Sequence, residues 1–258
     1  MAGWKGGKSQ EIVLLPDHRP ISTLSPSFHP SAFPSFPMPS VQIWDMPVRL
    51  VHWLMVALVG ISWWTAEIGE LQYHRYSGYT LLGLLVFRVY WGFAGSSTAR
   101  FASFVKGPRA VLAYLRQLPE RVADHSPAAP GHNPLGALSV MALLVLLITQ
   151  VALGLFAVDV DGIESGPLSH LVSFDTGRAC AELHEDVFNV LLTFIALHVA
   201  AVLFYLLYKR DNLIAAMVHG RRKIRDEAAA PHVRISLVRL AIGVALAAAA
   251  AWWIANRG

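Results

Sequence analysis

The sequence predicts an all-α integral membrane protein, a four-helix bundle followed by a fifth, C-terminal transmembrane helix. Three observations predict it. Of the 258 residues, 55% are hydrophobic and only 15% charged, where a soluble domain carries about 25% charge. Five apolar segments follow one another at 48–66, 74–95, 135–158, 184–208 and 236–255. Each is near the ~20 residues that cross a bilayer core as a helix, and in lipid only helices and closed barrels satisfy their own backbone. Finally, Lys and Arg alternate between abundance and near-absence in the connecting loops.

Residues 1–40 read as a disordered tail rich in Pro, Ser and Gly. Pro20, Pro26, Pro30, Pro34, Pro37 and Pro39 break any helix, and no apolar run follows Lys5 and Lys8 to make a signal peptide. The patterned sequence begins just after Met38, which makes Met38 a candidate start. Residues 41–225 form the bundle, and 226–258 a linker and an accessory helix. The Ala-rich run 247–251 suits close helix packing. Trp53, Trp63, Trp64, Trp91, Trp252 and Trp253 fall mostly near segment ends, as an interfacial belt requires.

Orientation follows from charge. Sixteen of the 21 Lys and Arg lie in residues 1–49, 96–134 and 209–234, and the opposite side holds only Arg178 and Arg257. The positive-inside rule then puts the N-terminus in the cytoplasm and the C-terminus outside. Glu67, Glu70, Asp159, Asp161, Glu164, Asp175, Glu182, Glu185 and Asp186 make the outer loops acidic. Either acids are tolerated where bases are excluded, or this is a docking face for a basic partner. A net charge of +4 and a pI of about 9.4 do not imply nucleic acid, because the bases form no continuous face. The one cysteine, Cys180, excludes an internal disulfide, a Cys-rich zinc site, an iron–sulfur cluster and covalently attached haem.

Eleven histidines divide into two groups. His18, His29, His125, His132, His170, His219 and His232 fall in the tail or loops and read as solvated or capping residues. His52, His74, His184 and His198 sit at or within spans, where an ionisable residue is a functional candidate. His184 and His198 are 14 residues apart on one expected helix. That places them ~21 Å apart along the axis and within ~40° of one direction. His74 opens the second span on the outer side, level with His184. His52 lies near the inner start of the first span, level with His198. Two level pairs of neutral imidazoles, each drawn from two helices, are the pattern for bis-histidine ligation of two haem b groups. Zinc would want its ligands within a few Å, and a di-iron bundle would want Glu-x-x-His pairs; neither pattern is present.

Arg88 is 14 residues from His74 and so faces the same way at the inner level. A haem propionate would satisfy a buried Arg there, and reaching to the headgroups is the alternative. Arg75, Arg49 and Arg100 are weaker propionate candidates. Gly78, Gly83 and Gly154 either leave room for a flat macrocycle or mark close helix contacts.

At these residues the chain resembles the bacterial cytochrome b561 family, close to the b-type subunits of membrane-bound nickel–iron hydrogenases. The matching pieces are IWDMPVRLVHW at 43–53, HRYSGYTLLGLLVFRVYWGFAG at 74–95, ARFASFVKGP at 99–108, GHNPLG at 131–136 and HEDVFNVLLTFIALHVA at 184–200. They run in order across residues 41–223. The resemblance implies a four-helix, two-haem membrane protein with the pairs His52–His198 and His74–His184. It also implies electron exchange with a quinone pool and a redox partner. The fifth span and the Pro-rich tail lie outside that pattern.

The leading expectation is electron transfer across the bilayer between quinone or quinol and a periplasmic redox partner, either a c-type cytochrome or a catalytic oxidoreductase subunit. A second expectation is the membrane anchor and electron conduit of a larger oxidoreductase, such as a hydrogenase or dehydrogenase. A third, from another class, is a haem-free transporter or scaffold with core histidines.

Overall fold

The computed structural model describes residues 40–117, 131–160, 164–223 and 231–257. The chain divides into two units, Met1–Pro37 and Met38–Gly258, and every described residue belongs to the second. The expected tail, the first part of the 226–258 linker, and His18, His29 and His125 lie outside the described residues.

Two short strands, β1 (Ser40–Gln42) and β2 (Arg221–Lys223), pair antiparallel, with Val41 opposite Arg222. Between them run α1 (Met46–Glu67), α2 (Leu71–Ala94), α3 (Phe101–Phe104), α4 (Pro108–Gln117), α5 (Pro134–Phe156), α6 (Phe174–Leu207) and α7 (Leu213–His219). The last helix, α8 (Leu237–Ala255), follows β2.

Local chemistry sets these boundaries. Asp45 caps α1 by accepting from the Val48 amide at 2.8 Å, with Pro47 in the first turn. Asn133 caps α5 the same way through the Gly136 amide at 2.7 Å, with Pro134 next to it. α1 stops at Gly69, which takes the left-handed conformation (φ +76°). The Glu70 amide then donates to the Thr65 carbonyl and the Gly69 amide to the Ala66 carbonyl, which is the Schellman pattern. This turn reverses the chain directly into α2. α6 closes through a wider turn, with the Asp211 amide donating to the Tyr205 carbonyl and Arg210 in the left-handed position at φ 53°.

Four helices, α1, α5, α6 and α8, are long and apolar enough to cross a membrane, and the chain is a multi-pass membrane protein. The expected second apolar span corresponds to α2, which matches the others in length but is more polar. It carries His74, Arg75, Arg88 and several tyrosines. The reason is position. α2 packs against α1 on one side, α8 on another and α5 on a third, so Ser77, Tyr79 and Arg88 are buried against protein, while Tyr73 and Tyr76 near its start stay exposed. α1–α2 and α5–α6 are antiparallel hairpins, and they meet through α2 and α5, where Leu81, Leu85, Leu144 and Val151 form the shared core. α6 packs along α5 and makes no comparable contact with α1 or α2.

The fourth span was expected at 184–208, but α6 begins ten residues earlier, capped by the Ser173 hydroxyl. Its 34 residues reach about 51 Å, against a hydrocarbon layer of about 30 Å. The extra length escaped the hydropathy pattern because Asp175, Arg178 and Glu182 interrupt it.

Gly83 was a candidate either for giving a macrocycle room or for a close helix contact, and the structure shows the second. It lets α8 approach: a Cβ there would lie 2.9 Å from the Ala247 carbonyl oxygen and 3.3 Å from the Ala251 methyl.

Gly83→Val should therefore lower the thermal stability of the detergent-solubilised protein by about 1–3 kcal/mol, as overpacking does. Arg210→Gly should raise it by up to about 1 kcal/mol, because it relieves a left-handed non-glycine residue. Thermal melts of both variants against the parent chain measure these effects.

Candidate functional site: two levels of paired histidine

The outer pair forms where the two hairpins face each other. His74 lies in the first turn of α2, and His184 lies ten residues into α6. Their ring centroids are 6.0 Å apart with the planes nearly perpendicular, at 81°. Each ring is held by the other helix of its own hairpin. His74 Nδ1 donates to the Ser62 carbonyl of α1 at 2.8 Å, and His184 Nδ1 donates to the Gln150 carbonyl of α5 at 2.9 Å. A carbonyl oxygen only accepts, so both Nδ1 atoms carry the proton. In the neutral ring the lone pair is then left on Nε2.

Small residues make this possible. Gly154 on α5 seats His184, since a Cβ there would come 2.9 Å from His184 Cε1. Gly78, one turn beyond His74, has nothing within 4 Å of where a Cβ would be. The Ser62 and Ser77 hydroxyls bond at 2.5 Å, and Ser77 also donates to the His74 carbonyl, which fastens α2 to α1 at this level.

The inner pair draws His52 from α1 and His198 from α6, and the two lie within electrostatic reach of each other. His198 Nδ1 meets the Ser139 hydroxyl of α5 at 3.3 Å. His52 Nδ1 is sealed from solvent without a hydrogen-bond partner.

These donors can be tested against a haem iron. A metal–imidazole bond is about 2 Å and a ring centroid lies about 1 Å beyond the ligating nitrogen. Two rings on opposite faces of one metal therefore have centroids about 6 Å apart, and the outer pair has that spacing. Second-shell bonds from the far ring nitrogen are what a metal-ligating histidine requires. The backbone of α6 also stands off from those of α1 and α2, and between them Trp63 meets Phe188 with ring centroids 6.1 Å apart. Among the described residues no three His, Cys, Asp or Glu side chains converge on one point, so a polydentate zinc or di-iron cage has no donor set. His74 and His184 fit a bis-imidazole site.

The arginines behave differently from one another. Arg88 is buried at 7% exposure, lies 5.1 Å over the Phe101 ring, and has an Nη1 without a partner. It does not reach for headgroups. Arg75 pairs with Glu164 at 3.2 Å, which ties the start of α2 to the α5–α6 loop. Arg49 donates from Nη1 to the Val218 carbonyl at the end of α7, a favourable place for a cation. Arg100 is exposed at the start of α3.

One residue was misplaced by sequence reasoning. His132, read as a solvated loop histidine, lies with its ring 4.5 Å from both Trp44 and Phe104. Burial first, then the neighbouring Arg88 and His198, pushes its pKa down to about 3, so the ring is neutral at cellular pH. The one available signal was Asn133-Pro134, which announces a helix start and so draws His132 toward the bundle. Asp45 was also missed. It is fully buried and joins α1 to α2 by accepting from Trp91 Nε1 at 2.9 Å.

Comparison with known proteins gives consistent results. A family model described as prokaryotic cytochrome b561 matches residues 43–220. A curated relative from Azotobacter chroococcum mcd 1, named "Probable Ni/Fe-hydrogenase B-type cytochrome subunit", is 23% identical over 224 residues, covering 73% of this chain and 90% of its own. A protein of the same name from Azotobacter vinelandii is 24% identical over 219 residues, with the same coverage. No solved structure matches the chain significantly.

Proposed function

The chain belongs to the prokaryotic cytochrome b561 family, and from that premise we propose that it is a di-haem electron carrier of the bacterial inner membrane. His74 and His184 hold the outer haem b, and His52 and His198 the inner one. The protein passes electrons between a periplasmic redox partner and the quinone pool. The observation that carries this reading is the outer pair, with two rings 6.0 Å apart and both Nδ1 protons tied to backbone carbonyls.

Haem b between two imidazoles supplies a one-electron couple without an open coordination position, suited to outer-sphere transfer. The protein's own contribution is to fix the rings. Ser62 and Gln150 set the tautomer of the outer pair, Gly154 seats one ring, and Gly78 leaves a flat approach beside the other. The two levels follow from α6, whose His184 and His198 are 14 residues apart, about 21 Å along the axis. In this topology α2 crosses the membrane too, shielded by α1, α5 and α8. Five crossings leave the termini on opposite sides, and the Lys and Arg bias assigns the N-terminus to the cytoplasm and the C-terminus to the periplasm. Arg88 is the candidate propionate partner at the inner level, with Arg49, Arg75 and Arg100 already bonded or exposed.

The relatives' names favour a second, compatible reading: the chain as the cytochrome subunit of a larger oxidoreductase such as a hydrogenase. Copurification from native membranes separates the two. A stoichiometric catalytic subunit supports the second reading, and a solitary protein with quinol-linked activity supports the first.

Purified protein should show a reduced-minus-oxidised b-type spectrum and two haems per chain. A colourless preparation would return the chain to a transporter or scaffold. His74→Ala or His184→Ala should each remove one haem, and His52→Ala or His198→Ala the other. Equal loss of both haems from every single variant would overturn the pairing by level. Gly154→Val should displace the His184 ring and cut haem content toward half, with the inner haem retained, as read by haem quantification.

A further inference from the structure

Arg88 is a buried cation with no hydrogen bond among the described residues. A guanidinium is charged at every pH the protein meets, and leaving such a charge uncompensated in the interior is severely destabilising. Asp45 is within electrostatic reach and offsets part of the charge, but it makes no hydrogen bond to Arg88. Its Oδ1 accepts from the Val48 amide and its Oδ2 from Trp91 Nε1, at 2.8 and 2.9 Å. The Arg88 Nη1 atom is therefore buried with no acceptor among the described residues.

A second orphan lies in the same place. His132 Nδ1 is sealed from solvent and has no partner, and the ring is gripped between Trp44 and Phe104, both buried. His132 is within electrostatic reach of Arg88 on one side and of His198 on the other. Two polar groups from different elements, α2 and the approach to α5, thus stand unpaired beside the inner histidine pair. Natural structures leave few such groups unsatisfied, and each one calls for an explanation.

We propose that Arg88 and His132 form a two-armed clamp for a carboxylate at the inner level, and that its ligand is a propionate of the haem held by His52 and His198. This rests on the haem reading above. Arg88 supplies the charge and His132 a hydrogen bond, while Trp44 and Phe104 keep water from competing. Both residues are positioning residues: they touch the edge of the cofactor and not its metal. Their electrostatic effect has a fixed sign. Donors that neutralise a propionate favour the reduced form, so removing one should lower the potential of that haem alone.

The test is a redox titration of the purified full-length protein, read in the b-type band and fitted to two components, alongside haem quantification. In Arg88→Gln and in His132→Phe, one component should fall by an amount equivalent to at least a threefold change in the reduced-to-oxidised ratio, with the other unmoved. The component that falls should be the one retained in His74→Ala. Arg88→Lys and His132→Gln, which keep a donor, should restore much of the shift and serve where the first variants fold poorly. Two haems per chain with both potentials unchanged in all four variants would overturn the clamp and leave the haem reading standing. Parent protein without two haems would instead overturn that reading, and the clamp with it. Equal movement of both components would mark a general structural defect and also overturn the clamp.

Discussion

The outer histidine pair depends on one kind of hydrogen bond, from an imidazole Nδ1–H to a main-chain carbonyl of the neighbouring helix. His74 makes it to Ser62 and His184 makes it to Gln150. A carbonyl oxygen has two lone pairs, so it can accept from a side chain while its helix stays intact. In each case donor and acceptor belong to the same hairpin. Each ring is therefore rigid with respect to its own pair of helices, and the two hairpins meet as prepared halves. The tautomer follows from this bond, and with it the nitrogen that faces the opposite ring.

Asp45 does for the inner end of α1 what the serines do for the outer end. It is a fully buried carboxylate that caps its own helix and reaches across to Trp91 on α2. With the Ser62–Ser77 bond at the other end, α1 and α2 are fastened at both levels where a histidine must be placed. α5 and α6 are fastened by a different device. Tyr114 and Tyr205 bond through their hydroxyls, and Asn133 donates to Tyr205 at 3.0 Å. This joins α4, the start of α5 and the inner end of α6 beside His198.

Much of this was legible in the sequence. Hydropathy and charge bias located every long helix, because lipid imposes its demand on each span separately. Helical phase alone placed His184 and His198 on one face of α6. What was not legible were the features that depend on which helix neighbours which. α2 was expected to be as apolar as the rest, whereas its neighbours let it be polar. Gly83 and Gly154 were indistinguishable as letters, yet one admits α8 and the other seats an imidazole. His132 read as a surface residue because its loop is polar, and only the fold brings Trp44 and Phe104 to either side of it. The early start of α6 was hidden by its own charges, which a helix tolerates once it has left the hydrocarbon.

The short β1–β2 ladder has a consequence for how the molecule is built. It joins the residues just before α1 to those just after α7, and the Ile43 and Trp44 amides both donate to the Gly220 carbonyl at its end. α1 and α6, which carry His52 and His198, make few contacts with each other, and this ladder joins the two ends at that level together with the bonds from Arg49 and Trp53 to α7. Ribosomes make the chain from the N-terminus, and the ladder has no second strand until residue 223 exists. All seven helices from α1 to α7 are therefore made before the ladder can form, so the pairing that ties the start of α1 to the end of α7 is a late step in assembly of the chain.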